Sequence, residues 1–196
     1  MAKRTSEQAA ETREAILAAA RGLFAENGYA GASIAAIVEA AGVTKGALFH
    51  HFDSKEEVFL EVWRQLQIEM DAEARVKAVA SRSRTDVYAA FLAGCRVYLD
   101  WCARPDYQRI VLVDGPAVLG MERWHRLDFE LGSENMTRGT EFLAKQGHFP
   151  IELARPAGIM LQSALNGAGF AMSAEHPVIT ADQAFETFER LLRGLH

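Results

Sequence analysis

The chain has 196 residues and is 49% hydrophobic, so it can bury a sizeable core, and wholesale disorder is excluded. No apolar run approaches the roughly 18–20 residues needed to span a bilayer, and the N-terminus lacks the apolar core of a secretory signal, so we expect a cytoplasmic protein with no membrane partner. The formal net charge of −5 excludes a strongly basic surface, and any nucleic-acid partner must be recognised by local architecture instead.

The predicted elements are helices almost throughout, because only five prolines interrupt the pattern and no alternating run of strand length appears. The first helix is predicted from about Ser6 to Asn27, with Thr5 and Gln8 as a capping box at its start. Asn27 and Gly28 supply a left-handed stop at its end. Apolar residues recur along this helix at spacings of three and four, at Ile16, Leu17, Ala20, Leu23 and Phe24.

A pair of short helices follows. The second helix is predicted from Ser33, its natural N-cap, to about Ala40. Gly42 then permits a tight turn, and Thr44 caps a third helix that runs to His51. Two helices of about two turns each, joined by such a turn, have the layout of a helix-turn-helix.

The remainder of the chain predicts a helical body. A fourth helix begins at Ser54, which can form a capping box with Glu57, and runs to about Ala80. Pro156 falls in the first residues of a later helix, where backbone N–H groups lack intrahelical partners anyway. The later helices are expected at 84–103, 106–114, 117–146, 152–173 and 181–193. We therefore expect an all-α fold with an N-terminal helix-turn-helix three-helix domain at 1–53 and a C-terminal helical bundle at 54–196.

The two cysteines indicate no disulfide. Cys95 and Cys102 lie in one predicted helix, about 10 Å apart along its axis. That separation exceeds what an intrachain disulfide can bridge. We expect both to be small core residues rather than a redox pair.

The first turn of the third helix carries groups suited to reading DNA. A recognition helix places its N-terminal residues against base edges and its flanks against phosphates. Lys45, beside Thr44, can reach a guanine edge or a phosphate, and Gly46 lets the backbone approach the groove closely. His51 and Lys55 follow at positions suited to the sugar-phosphate backbone.

Two further groups extend this candidate surface. Ser33 offers a hydroxyl and free N–H groups at the start of the second helix, where a phosphate is favoured. Lys3 and Arg4, ahead of the first helix, are candidates for a basic arm. The alternative is that the charged members of the set are ordinary solvated surface residues.

The segment GASIAAIVEAAGVTKGALFHHFDSKEEVFLEVW closely resembles the N-terminal domain of the TetR family of bacterial transcription regulators. The shared order is a small hydroxyl residue, Ile-x-x-Ile/Val, Ala-Gly-Val, Thr-Lys-Gly-x-Leu-aromatic-x-His-Phe and Ser-Lys-Glu-Glu. With the first helix included, the resemblance covers about fifty residues. It implies a double-stranded DNA partner with a palindromic operator. The positions that usually face DNA in this family correspond to Ser33, Thr44, Lys45, Gly46, His50, His51 and Lys55.

Phe49 departs from the family pattern. Relatives most often have tyrosine there, with a hydroxyl that meets a phosphate. Phe49 keeps the ring but loses that hydrogen bond, worth about 1 kcal/mol. The ring can still pack against a thymine methyl or a sugar, so Phe49 stays among the candidate DNA-binding residues.

The body resembles the family only in outline, as helices that end in a pair used for dimerisation. Residues 106–128 are similar to a subset of the family's regulators, and the closing residues 190–195 are typical of it. Small residues in 157–174 allow helices to approach closely, which also favours a homodimer. Apolar residues repeat at helical spacing in the last helix, at Phe185, Phe188, Leu191 and Leu192. The alternative is that these residues form an intrachain core.

The body also carries more bulky apolar and aromatic surface than a lean bundle requires. Part of it is a candidate lining for a ligand cavity, and ordinary core is the alternative. Gln162 and Asn166, polar on an apolar helix, can orient a ligand or satisfy a buried carbonyl. The candidate ligand-binding set is Phe91, Cys95, Tyr98, Trp101, Met121, Trp124, Gln162 and Asn166.

Together these patterns predict a transcriptional repressor that a small, largely apolar ligand releases from its operator. The effector's identity is unknown from the sequence, and no cofactor or metal is expected. One alternative is a DNA-binding dimer controlled by a partner protein or acting as an architectural factor. Another is a small helical enzyme, but no His-Glu-x-x-His, Cys-x-x-Cys or Gly-x-Ser-x-Gly pattern occurs, so we expect no enzyme.

Overall fold

The fold is taken from a computed structural model that describes residues 2–194, apart from the side chains of residues 2–6 and 133. Regular structure in that range is helical, which confirms the all-α prediction. The α-helices are α1 Ala2–Gly31, α2 Ile34–Ala41, α3 Lys45–His51, α4 Lys55–Ala80, α5 Ala89–Cys102, α6 Pro105–Tyr107, α7 Gly115–Leu119, α8 Met121–Lys145, α9 Ala154–Ser173 and α10 Ala181–Arg193. A π-helical segment occupies Gln108–Asp114, and a 3-10 turn occupies Ile151–Leu153.

One compact unit consists of the chain up to Leu66 together with Pro105–Gly120. Its core forms where the apolar stripe of α1 meets α2, α3 and the first turns of α4. Phe24 and Phe59 are fully buried, and their rings meet edge to face with centroids 5.3 Å apart. The other large buried side chains of this unit include Ile16, Leu17, Ile37, Leu48, Trp63 and Ile110.

The end of α1 is shaped by Gly28, whose φ of 67° breaks the helical geometry at the predicted stop. The backbone N–H of Tyr29, just after the break, donates to Oδ2 of Asp114 at 2.6 Å. Arg109 Nε donates to the same carboxylate oxygen at 3.3 Å. Asp114 therefore has a structural role here, because it satisfies a backbone donor that the break releases.

The predicted start of α1 differs from the observed one. The helix already begins at Ala2 rather than near Ser6. The predicted basic arm of Lys3 and Arg4, and the Thr5 half of the predicted capping box, fall on side chains outside the described ones.

The second compact unit consists of Gln67–Arg104 and the chain from Met121 onward. In it α8 packs along α9, and α5 packs against α9 and α10. Gly158 allows the close approach of α8 and α9, because a Cβ there would lie 3.2 Å from Thr140 Oγ1. The core includes Leu92, Leu99, Trp124, Leu143, Leu165 and Phe188.

Several predicted helices of the body have different bounds. The helix expected over 117–146 is broken at Gly120, whose φ of 77° lies outside the helical region. The segment expected at 106–114 is π-helical from Gln108. The helix expected from 84 begins at Ala89, because Ser83 Oγ accepts from the N–H groups of Thr85 and Asp86 in the preceding turn.

The last helix has the predicted bounds. Thr180 Oγ1 accepts from Gln183 N–H, and the Gln183 side chain accepts from Thr180 N–H, so a full capping box begins α10. Both cysteines are free and buried. Within residues 2–194, no helix is both long enough and apolar enough to cross a membrane.

Candidate DNA-binding surface and ligand cavity

The two short helices α2 and α3 are set by caps at both ends. Ser33 Oγ accepts from Ala36 N–H, and Thr44 Oγ1 accepts from Ala47 N–H, each at 3.1 Å. Gly42 takes a φ of 66° and donates its N–H to Glu39 O, which ends α2. These caps leave a compact turn between the helices, as a helix-turn-helix requires.

The face of α3 opposite the buried Leu48 is exposed to solvent. Leu48 is fully buried, whereas Thr44, Lys45, Gly46 and His50 are exposed. Phe49 is 43% exposed, an unusual position for a large apolar ring in a monomer. The ammonium of Lys45 lies 5.8 Å from the centre of that ring, and the rings of His50 and His51 meet edge to face at 5.4 Å. The first turn and one side of α3 thus bring these predicted residues together on one surface.

Lys55 has a different environment from the other predicted DNA-binding residues. Its Nζ donates to Tyr29 O at 2.9 Å and to Ala32 O at 3.0 Å. It also lies 4.1 Å from the centre of the Tyr29 ring. Two of the three ammonium donors are therefore engaged within the protein, where they hold the carbonyls at the end of α1.

The second compact unit contains a cavity of about 780 Å³ between α4, α5, α8 and α9. That volume is within the range of small-molecule sites, about 300–1,000 Å³. Apolar side chains such as Met70 and Leu131 form much of its wall. Five of the eight predicted ligand-binding residues line it, namely Phe91, Cys95, Tyr98, Gln162 and Asn166.

The other three predicted residues do not line this cavity. Trp101 is 5% exposed and donates from Nε1 to Glu73 at 2.8 Å, while the Arg104 guanidinium lies 3.9 Å from its ring. Trp124 is fully buried and packs on Phe170 with ring centroids 5.2 Å apart. Met121 is 52% exposed at the start of α8.

One end of the cavity is polar and centres on Asp128, a residue that the sequence reasoning missed. The carboxylate is 6% exposed and accepts from three side-chain amides. Gln67 Nε2 lies 3.0 Å from Oδ1, Asn166 Nδ2 lies 2.6 Å from Oδ2, and Gln162 Nε2 lies 3.3 Å from Oδ2. Burial raises the pKa of Asp128, and these hydrogen bonds act in the opposite direction.

The polar end continues toward α5. Tyr98 donates its hydroxyl to Asn166 Oδ1 at 2.8 Å, which fixes the orientation of that amide. Gln162 Oε1 is buried and has no hydrogen-bond partner. The sequence held a partial signal for Asp128, because it lies four residues after Trp124, a bulky apolar residue, and therefore on the same face of α8.

Comparison with known proteins adds a second line of observation. A family model described as bacterial regulatory proteins, tetR family, matches residues 16–62. A second model, described as the tetracyclin repressor-like C-terminal domain, matches residues 88–195. A crystal structure of a TetR-family transcriptional regulator from Pectobacterium atrosepticum is similar over 96% of both chains, with 32% identity and a TM-score of 0.82.

Two curated relatives are similar over shorter stretches. The transcriptional repressor AcnR of Corynebacterium efficiens is 36% identical over 52% of this chain and 50% of its own length. The transcriptional regulator AcrR of Shigella flexneri is 44% identical over 32% of this chain and 29% of its own length. The matched part of the chain therefore spans half or less of these two relatives.

Proposed function

Because the chain belongs to the TetR family of bacterial regulatory proteins, we propose that it is a DNA-binding repressor that a small, largely apolar ligand releases from its operator. Members of this family are transcription regulators and not enzymes, so the prediction that the chain is not an enzyme is confirmed. The functional division proposed is DNA binding by residues 1–53 and ligand binding with dimerisation by residues 54–196. Action on chromosomal DNA is the reason to expect the protein in the cytoplasm.

The observation that carries the DNA-binding role is the open first turn of α3. Thr44, Lys45 and Gly46 are exposed there, while the fully buried Leu48 anchors the helix in the core. In this proposal Gly46 approaches base edges and Lys45 reaches a base edge and a neighbouring phosphate. Ser33, Thr44, His50 and His51 contact phosphates. Phe49 packs against a sugar or a thymine methyl. Lys55 positions the helix-turn-helix through its two internal hydrogen bonds and is not assigned a phosphate contact.

The proposed DNA-binding unit is a homodimer, because helix-turn-helix proteins usually bind two half-sites about 34–36 Å apart. Exposed apolar side chains on the last two helices support this assembly. Met160 on α9 is 72% exposed, and Leu191 on α10 is 61% exposed. Phe188 and Leu192 are buried within the chain, so only part of the apolar repeat of α10 is left for a partner.

Ligand control is supported by the cavity of about 780 Å³ and its mixed lining. A ligand that prefers a subunit spacing unsuited to the operator lowers DNA affinity by its coupling free energy. A coupling of about 1–3 kcal/mol corresponds to a 5–150-fold loss of affinity. The cavity favours a small ligand over control by a partner protein, because a protein partner needs no internal volume.

Selection of bound sequences from random DNA tests the DNA-binding role. We expect a palindromic site, and fluorescence anisotropy should show affinity that falls steeply with salt. Binding without preference for the palindrome over random DNA, or without salt dependence, would contradict the proposal.

Sedimentation tests the dimer: Leu191→Glu should shift the protein toward monomer. Val178→Glu, at a position 78% exposed outside α9 and α10, is the matched control and should leave the oligomeric state unchanged.

A further inference from the structure

The polar end of the cavity is rich in hydrogen-bond acceptors. Asp128 is 6% exposed there, and among the described residues no lysine or arginine is one of the groups that shift its pKa. His125, three residues earlier on α8, lowers the pKa of Asp128 by its charge but makes no hydrogen bond to the carboxylate in the described part of the chain. The amides of Gln67, Gln162 and Asn166 hold the carboxylate but bring no positive charge. A carboxylate removed from water without a hydrogen-bonded cation is an unfavourable arrangement, which a ligand of opposite charge in direct contact relieves.

A second, independent acceptor lies at the same end. Gln162 is 8% exposed, and its Nε2 is committed to Asp128, so its Oε1 is left without a donor. A buried acceptor without a partner is rare in folded proteins and usually has a specific explanation. A ligand that donates hydrogen bonds satisfies this oxygen, and one that only accepts them does not.

We propose that the effector carries a protonated amine on an apolar body, with the ammonium at Asp128 and Gln162 Oε1. The inference rests on the proposed function, since it assumes that this cavity is the effector site. An ammonium supplies the charge that Asp128 lacks and the donor that Gln162 lacks. The apolar body lies along Met70, Phe91 and Leu131.

The charges elsewhere in the cavity wall are consistent with this orientation. Arg138 lies ten residues after Asp128 on α8, or roughly 15 Å along the helix. It is largely exposed and donates to Asn135 Oδ1 at 2.7 Å. Arg75 is likewise largely exposed and pairs with Asp71 at 2.7 Å. These two arginines are solvated and paired, and Arg82 in the same lining is exposed, so these three arginines do not offer a desolvated site for an anion.

Three probes of equal chain length test the inference on the unaltered protein. Decylamine, 1-decanol and decanoate differ only in the head group, and at pH 7 they are cationic, neutral and anionic. In isothermal titration calorimetry we expect decylamine to bind about tenfold more tightly than 1-decanol, and decanoate to bind most weakly. Decanoate binding most tightly, 1-decanol matching decylamine, or no binding by any probe would overturn the inference.

Two variants locate the effect. Asp128→Asn keeps the shape of the side chain and should abolish the preference for decylamine while 1-decanol still binds. Arg82→Gln removes one charge from another part of the cavity lining and should leave the preference intact. If Asp128→Asn does not fold, Gln162→Met replaces it and should reduce the preference by about threefold.

Operator release separates this inference from the proposed function. If decylamine binds and the operator stays bound, the amine site stands and ligand control fails. If decanoate releases the operator while decylamine does not bind, ligand control stands and the amine site fails. Release by decylamine, lost in Asp128→Asn, supports both.

Discussion

The ammonium of Lys55 donates to the backbone carbonyl of Tyr29 at 2.9 Å. It does the same to Ala32 at 3.0 Å, so the first residue of α4 closes the end of α1. This lysine follows the recognition helix, where sequence alone favours a phosphate contact. Because Lys55 is hydrogen-bonded within the protein, we expect it to act on stability, whereas Lys45 acts on DNA binding. Unfolding and operator-binding measurements on variants of each residue can distinguish the two roles.

Lys55→Met should destabilise the protein by about 1–3 kcal/mol, because two carbonyls at the end of α1 lose their donor. Urea unfolding measures this change. The salt dependence of operator affinity should change little, since the two hydrogen bonds are internal. Lys77→Met, at an exposed lysine near the end of α4, is the control and should leave stability nearly unchanged. A changed salt slope with unchanged unfolding would return Lys55 to the phosphate-binding set.

Lys45→Ala should change operator affinity and its salt dependence while leaving stability nearly unchanged, the reverse of Lys55→Met. The Lys45 side chain is exposed on α3, so we expect little change in stability. If it contacts a phosphate, the slope of log affinity against log salt should fall in magnitude by about 0.9. Anisotropy titrations from low to moderate salt measure both quantities. Operator binding as tight as that of the parent protein would show that the first turn of α3 is not the reading surface.

Phe49→Tyr should tighten operator binding. The ring is already 43% exposed beside Lys45, so a hydroxyl added there meets water in the free protein and a phosphate in the complex. A gain of about 1 kcal/mol corresponds to roughly fivefold in affinity. Phe49→Leu, which removes the ring, is the matched comparison and should weaken binding. Equal affinities for all three proteins would mean that residue 49 does not touch DNA.

Gly28→Ala should destabilise the protein by about 1–2 kcal/mol, because a side chain at positive φ is strained. The residue has φ 67°, and a Cβ there would meet the guanidinium of Arg109. Gly22→Ala is the matched control on the same helix. A Cβ at Gly22 would have no neighbouring atom within 4 Å, so that change should stabilise by about 0.5–1 kcal/mol. Urea unfolding of both variants should give shifts of opposite sign.

Alkylation should distinguish the native thiols from those of the unfolded chain. Burial raises the pKa of Cys95 and of Cys102 to about 12. At pH 8 their thiolate fraction is about a thousandfold below that of an unfolded cysteine with a pKa near 8.5. Mass spectrometry after iodoacetamide treatment should therefore find both unmodified, and modified when guanidinium is added. Rapid labelling of Cys95 in the native protein would show that the cavity opens to solvent.

The sequence predicted well those features that depend on neighbouring residues. The caps at Ser33, Thr44 and Thr180 are local hydrogen bonds between a side chain and a nearby backbone group, so residue type and spacing suffice to find them. The stop at Gly28 is local in the same way.

Features that depend on distant partners were not predictable in this way. The role of Lys55 depends on carbonyls more than twenty residues earlier, and that of Asp128 on amides from α4 and α9. Trp101 and Trp124 are aromatic, like some of the residues that line the cavity, but they pack elsewhere. The orientation of each helix in the bundle decides which aromatic side chains face the cavity, and the sequence does not give that orientation. The break at Gly120 has no helix-stop signal beyond the glycine itself.

The shortness of α3 limits how many base pairs one copy of the chain can recognise. Its seven residues span about 10 Å, which corresponds to roughly three base pairs along the groove. Recognition of one operator among the roughly 10⁶ or more competing sites in a genome requires roughly ten specified base pairs. Under the proposed function, the remaining specificity comes from the α3 helix of a second subunit and from the shape of the DNA between the two half-sites. In such a dimer, a ligand that alters the distance between the two α3 helices would end recognition of the operator without changing any single base contact.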